Sequence, residues 1–137
     1  MKKKNIQNQK LVDQYAERLI KIIKLDKYNK INLLYKKIFE TWKKGKTIYL
    51  CGNGGSAGNA NHIANDLIFA AGKKNKRGIK AESLASNPSI ITCLANDIGY
   101  ENIFSEQIKV KGAKGDLLIV LSGSNLVKTQ WLDKNIR

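Results

Sequence analysis

His62 and Asp66 stand four residues apart in the stretch TIYLCGNGGSAGNANHIAND, Thr47 to Asp66, directly after a glycine-rich run. On a helix that spacing puts an imidazole and a carboxylate on one face. The pair suits two metal ligands, and it equally suits a histidine hydrogen-bonded to a neighbouring carboxylate. Upstream, Gly52, Asn53, Gly54 and Gly55 form a turn without any helix-forming residue, and Ser56 is placed to cap the helix that follows. Bare glycines admit close approach of a ligand, and the first amides of a helix face it with unpaired N–H groups and the positive end of the dipole, so an anion is the expected guest. The turn is neither the six-position dinucleotide fingerprint nor a P-loop, and a purely structural glycine turn stays open beside the binding one. A second polar turn, Ser122-Gly123-Ser124, follows the apolar run DLLIVL. Two such clusters at one sheet edge can surround a phosphate. Asn96 and Asp97 precede Ile98 and Gly99; they serve equally as a helix-end turn or as groups for sugar hydroxyls.

The elements that must position these residues follow from periodicity. Leu11, Val12, Tyr15, Leu19, Ile22 and Ile23 recur at helical spacing from about Gln9 to Leu25. Ile31, Leu34, Tyr35, Ile38, Phe39 and Trp42 do the same from Tyr28 to Lys44, with Gly45 as a stop. Thr47 to Leu50 reads as a short buried strand, Ala71 to Ile79 as a polar connection whose basic run Lys73 to Arg77 either steers an anion or is simply solvated, and Lys80 to Ala85 as a weaker strand. Asn87-Pro88-Ser89 opens a helix through Leu94, and a short helix is predicted over Asn102 to Val110. Asp116 to Leu121 reads as a strand covered on both faces, and a last helix is predicted from about Leu126 to Asn135. Strands alternating with helices predict an α/β fold, an open doubly wound parallel sheet of Rossmann-like type flanked by helices and preceded by two helices. In such sheets ligands sit beyond the carboxyl ends of the strands, where both polar turns fall.

The 137 residues are 42% hydrophobic, ordinary for one folded domain. Residues 1 to 46 carry 14 basic against 4 acidic residues, most of the net charge of +14. The lysines occupy polar helix faces without an aromatic-rich basic stripe, so a solvated surface is expected and no specific nucleic acid. Two cysteines, Cys51 and Cys93, make no disulfide framework and no Cys-x-x-Cys pair, as in a cytoplasmic protein with reduced thiols. Neither a signal peptide nor a membrane span is read, because LIKIIKL is interrupted by Lys21 and Lys24.

In combination and in order, GNGGS at 52 to 56, ANHIAND at 60 to 66, NPSIITCLANDIGYENIFSEQI at 87 to 108 and GDLLIVLSGS at 115 to 124 resemble the sugar isomerase (SIS) family, on the branch of the bacterial phosphoheptose isomerases. The resemblance implies a helical segment 1 to 46 of tetramer-interface type, joined in one domain to the first portion of the SIS α/β domain at 47 to 137. It implies a cytoplasmic homotetramer acting on a phosphorylated sugar, converting sedoheptulose 7-phosphate to D-glycero-D-manno-heptose 7-phosphate, often with zinc. Asn53, Gly54, Gly55 and Ser56 would contact substrate, His62 would ligate metal, and Asp66 would take the place of the metal-binding, proton-transferring carboxylate. Asn96 and Asp97 would hold sugar hydroxyls, and Ser122, Gly123 and Ser124 the phosphate. The pattern departs from the family in three places: Asp66 replaces a glutamate, the serine loop passes from Ser124 straight to Asn125-Leu126, and three of five strands are present. The remaining strands would bring a glutamine and a histidine to the site. A non-catalytic SIS module that binds a sugar phosphate or a protein partner, such as a replication-initiation regulator, is the alternative.

Overall fold

The computed structural model describes residues 2–24, 28–75 and 77–123. The chain divides into two compact units, Met1–Lys36 and Lys37–Arg137. In the first, helix α1 spans Lys2–Lys24, about two turns earlier than the periodicity alone predicts, and its Leu11, Val12, Tyr15, Leu19, Ile22 and Ile23 are all exposed. Helix α2 spans Tyr28–Lys43. Its apolar stripe changes role along its length. Ile31, Leu34 and Tyr35 are exposed, whereas Ile38 packs against the core of the second unit, to which it belongs. Gly45 stops α2 as predicted: at φ +66 it lets Gly45 N–H reach Trp42 O (2.9 Å) and Lys46 N–H reach Thr41 O (3.0 Å), the paired bonds of a Schellman cap.

The second unit is built on strand β1, Ile48–Gly52, buried along its whole length. Strand β2, Ala81–Ser83, lies on one side of it and β3, Leu117–Leu121, on the other, giving the order β2-β1-β3 with both pairings parallel. Alternation along β1 sends Ile48 and Leu50 to one face, where they meet Ala60 and Ala64 of helix α3, Gly55–Ile68. Tyr49 and Cys51 go to the other face and join Leu84, Phe104 and Ile108. A strand buried on both faces has no polar side to display, which is why its sequence is almost continuously apolar. The parallel doubly wound reading is therefore borne out, helices on each face included.

The open end of the sheet is tied by Asp116, whose carboxylate accepts from Thr47 N–H (2.9 Å) and Ala113 N–H (2.8 Å). On the covered face, Tyr49 donates its phenol proton to Lys111 O at 2.8 Å, joining β1 to the end of helix α6, Ser105–Lys111. Burial, followed by the nearby Asp116 and Glu82 carboxylates, raises the pKa of that phenol.

Three local expectations change. Residues 70 to 75 are not a plain loop but a short helix α4, Ala70–Asn75, continuing on from α3; Lys73, exposed there, suits a helical turn as well as a solvated loop. The cap of α3 is Gly54 at φ +55, one step before the helix starts, so Ser56 sits in the first turn instead of capping it. The helix predicted over 102 to 110 is split into a 3₁₀ turn, Tyr100–Asn102, and α6. Helix α5, Pro88–Ile98, begins as the sequence predicts, with Asn87 Oδ1 accepting from Ser89 N–H and Ile90 N–H at 3.1 and 3.3 Å. It runs one turn beyond Leu94. The helix predicted from Leu126 lies outside the described residues.

Candidate functional site

Strand order reverses at β1: the chain leaves it through α3 to reach β2 on one side, then crosses under the other face to reach β3 on the opposite side. At such a switch point the two connections part and leave a crevice outside the carboxyl ends of the central strands. A cleft of about 340 Å³ lies there, lined by Ser56, Asn59, His62 and Ile63 of α3 and by Leu121, Ser122 and Gly123 at the end of β3. Two polar turns separated by more than sixty residues of sequence thus face one space because their strands are neighbours, Gly52 pairing with Leu121.

What lets α3 begin so close to β1 is Gly52. A Cβ there would stand 2.6 Å from Ser56 C and O and 2.8 Å from Ser56 Cβ, distances that real structures do not tolerate. Ser56 N–H donates to Asn53 O (3.0 Å) and Ala57 N–H to Gly54 O (3.0 Å), so these two first-turn amides are already engaged inside the turn. The anion-binding capacity expected of the helix start is narrowed accordingly, and Ser56 is the residue of this turn that lines the cleft.

His62 and Asp66 do come together: Nε2 and Oδ2 are 3.2 Å apart, on side chains 76% and 54% exposed. The ring lines the cleft and the carboxylate lies one turn further along α3. Such an exposed pair adds little to stability, of order 0.3–0.5 kcal/mol, so its geometry is free to serve another purpose. As a metal site it is half a set. Zinc takes four ligands, or three and a water, and among the described residues no group of three or more His, Cys, Asp or Glu side chains is placed to hold an ion. The described residues therefore do not form a zinc centre by themselves.

Asn53 is exposed in the turn, with its Oδ1 accepting a 2.7 Å bond from the Tyr100 phenol. Asn96 and Asp97 close α5 and bond to each other, Nδ2 to Oδ1 at 2.9 Å, while Cys93 Sγ contacts the second Asp97 oxygen at 3.5 Å and has its thiol pKa raised by that carboxylate. None of these three lines the cleft. Ser122 and Gly123 do, and Ser124 lies outside the described residues. Sequence reasoning passed over Asn59, Ile63 and Tyr100. The first two were accessible from spacing, since positions 56, 59, 62, 63 and 66 share one helical face; Tyr100 carries no local signal, because its partner is 47 residues away.

The family model described as "SIS domain" matches residues 13–127. The chain belongs to the SIS domain family. Among curated SIS proteins, a phosphoheptose isomerase of Roseiflexus is 38% identical over 90 residues, covering 66% of this chain and 45% of that protein. One from Aliarcobacter butzleri is 44% identical over 85 residues, 62% of this chain and 44% of that protein. The chain thus spans less than half the length of these relatives. Among solved structures, the phosphoheptose isomerase of Neisseria gonorrhoeae superposes with a TM-score of 0.72 at 25% identity, over 86% of this chain and 61% of that one. That of Francisella tularensis gives 0.75, also at 25% identity, over 85% and 62%. The SIS fold inferred from the ordered motifs is confirmed.

Proposed function

We propose that this SIS chain is the sugar-phosphate-binding and proton-transferring portion of an aldose-ketose isomerase that interconverts sedoheptulose 7-phosphate and D-glycero-D-manno-heptose 7-phosphate. The observation that carries the reading is the cleft at the β1/β3 switch point, where Ser56 and His62 face Ser122 and Gly123. Relatives named phosphoheptose isomerase, alike in sequence and in fold, support it.

In this reading Ser122, Gly123 and Ser124 hold the phosphate, while Asn53, Gly54, Gly55 and Ser56 line the sugar, and Asn96 and Asp97 take its hydroxyls. Asp66 is the base. Its carboxylate removes the proton from C1 of the ketose, leaving an enediol; a proton moves from O1 to O2, and return of the carbon-bound proton to C2 gives the aldose. His62 orients Asp66 through the Nε2–Oδ2 contact and donates to the developing oxyanion when protonated. In the family, His62 and Asp66 would be two of the ligands of a zinc ion that polarises the carbonyl. Among the described residues these are the two donors at hand, and the proton steps are written for the side chains. The exposed apolar faces of α1 and α2, within segment 1 to 46, are the contact surfaces of a cytoplasmic homotetramer. Among the described residues no helix is long and apolar enough to cross a membrane.

A non-catalytic sugar-phosphate module is favoured by one observation, that among the described residues the ligand set stops at His62 and Asp66. The assay that separates the readings measures binding and turnover of sedoheptulose 7-phosphate with added zinc. It compares this chain with a version extended by the carboxyl-terminal portion of a family member. Binding by both with turnover in the extended version is expected; binding by both without turnover identifies the module, and no binding by either overturns the site. An extended Asp66→Asn protein with full isomerase activity would remove Asp66 from its role.

A further inference from the structure

The turn Asn53–Gly55 stands in open space: a Cβ on Gly54 or Gly55 would meet no atom within 4 Å. Among the described residues its one side-chain hydrogen bond is the 2.7 Å contact from Tyr100 Oη–H to Asn53 Oδ1. The Tyr100 side of that contact is firmly built. Gly99 reverses the chain at φ +96, Asn102 N–H returns to Gly99 O at 3.0 Å, and Asn102 Nδ2 donates to Ile98 O at 2.6 Å. The next residue, Ile103, is 1% exposed and anchors the 3₁₀ turn in the interior. Buried Gln107 then ties Leu84 O and Ile103 O together at 3.0 and 2.8 Å.

A fixed platform thus reaches across to a turn whose backbone bonds, from Ser56 N–H to Asn53 O and from Ala57 and Gly58 N–H to Gly54 O, all run to the start of its own helix. We propose that Tyr100 is a positioning residue: its phenol holds Asn53, and through Asn53 the glycine turn, in the conformation from which Ser56 faces the cleft. Because the phenol occupies Oδ1, the Asn53 amide presents its NH₂ outward, as a donor suited to a hydroxyl or carbonyl oxygen of the sugar. This second statement rests on the sugar-phosphate reading above; the first does not.

Two measurements on the 137-residue chain test it, using Tyr100→Phe, Asn53→Ala and the double variant. In the free protein, ¹⁵N relaxation of the Gly54 and Gly55 amides is expected to fall from an order parameter of about 0.85 toward about 0.6 in Tyr100→Phe, with no further change in the double variant over Asn53→Ala. Titration with sedoheptulose 7-phosphate is expected to show affinity weakened about 5-fold by Tyr100→Phe, as for the loss of one hydrogen bond, and unchanged between Asn53→Ala and the double variant. A merely structural role for Tyr100 would weaken both backgrounds equally, and that result overturns the proposal, as does an unaltered order parameter. Absence of binding by the wild-type chain refutes the sugar-phosphate reading and the outward donor, and leaves the relaxation result to decide the positioning role.

Discussion

Replacing Gly52 with alanine puts a methyl group 2.6 Å from the backbone carbon and oxygen of Ser56. Backbone atoms at the start of a helix cannot swing aside as a side-chain end can, so either α3 shifts off the end of β1 or β1 bends. Overpacking of this kind costs about 1–3 kcal/mol, and the buried setting of Gly52 places it near the upper figure. Gly55, three residues on, gives the opposite sign. Its Cβ would meet nothing within 4 Å and it opens α3 without a positive φ, so alanine there should stabilise by about 0.5–1 kcal/mol through the unfolded chain. The gap between the two variants is therefore about 3.5–4 kcal/mol, a sizeable part of the roughly 5–15 kcal/mol that holds an ordinary domain. Urea unfolding followed by circular dichroism at 222 nm measures both. Equal midpoints for Gly52→Ala and Gly55→Ala, or a Gly52→Ala protein as stable as wild type, would refute the argument that Gly52 is there for close approach and not for flexibility.

Asp66→Asn should leave the urea midpoint within about 0.5 kcal/mol of wild type, because the pair it breaks is exposed; a larger loss would mean that the pair is structural. Asp116→Ala removes the acceptor for two backbone N–H groups and is expected to cost about 2 kcal/mol, read in the same unfolding experiment, with failure marked by an unchanged midpoint. Cys93 is exposed and Cys51 buried, so a thiol reagent near pH 8 should label Cys93 in the native chain and reach Cys51 only on unfolding; equal labelling rates would contradict the burial. Burial pushes the Cys51 thiol up to about 11 from its ordinary 9.0. The unfolded chain releases that proton first as pH rises, so stability is fully present below pH 9.0 and should fall between 9.0 and about 11. In Cys51→Ala that part of the decline should disappear, and an identical decline would show that other groups cause it.

Much of the fold was legible because the strongest signals were local. LLIVL at 117 to 121 and IYLC at 48 to 51 show continuous apolar runs that only a strand covered on both faces requires, and Asn87-Pro88 announced α5 to the residue. Local cues misled where two structures share them. The basic run after Ala70 reads alike as loop or as exposed helix, and Ser56 looks like a cap until the positive φ of Gly54 shows which residue turns the chain. The site divided along the same line. Ser56, His62 and Ser122 could be placed at one edge because strand direction determines the edge. The bond from the Tyr100 phenol to Asn53 joins distant segments through a contact that no periodicity encodes.

The two walls of the cleft come from opposite ends of the folding problem. One wall, α3, begins where β1 ends; the other waits until β3 has found β1, a pairing closed by Thr47 and Asp116 across 69 residues of chain. Long-range parallel pairing is slow to form, whereas the turn and helix after β1 are local. If the proposed function holds, a sugar phosphate seated between Ser56 and Ser122 would bind only after the distant partner has arrived, and by mass action it would hold that partner in place. The ligand would then act on the lifetime of the native state, slowing the release of β3 in proportion to its occupancy, so that substrate supply and persistence of the folded chain become one variable.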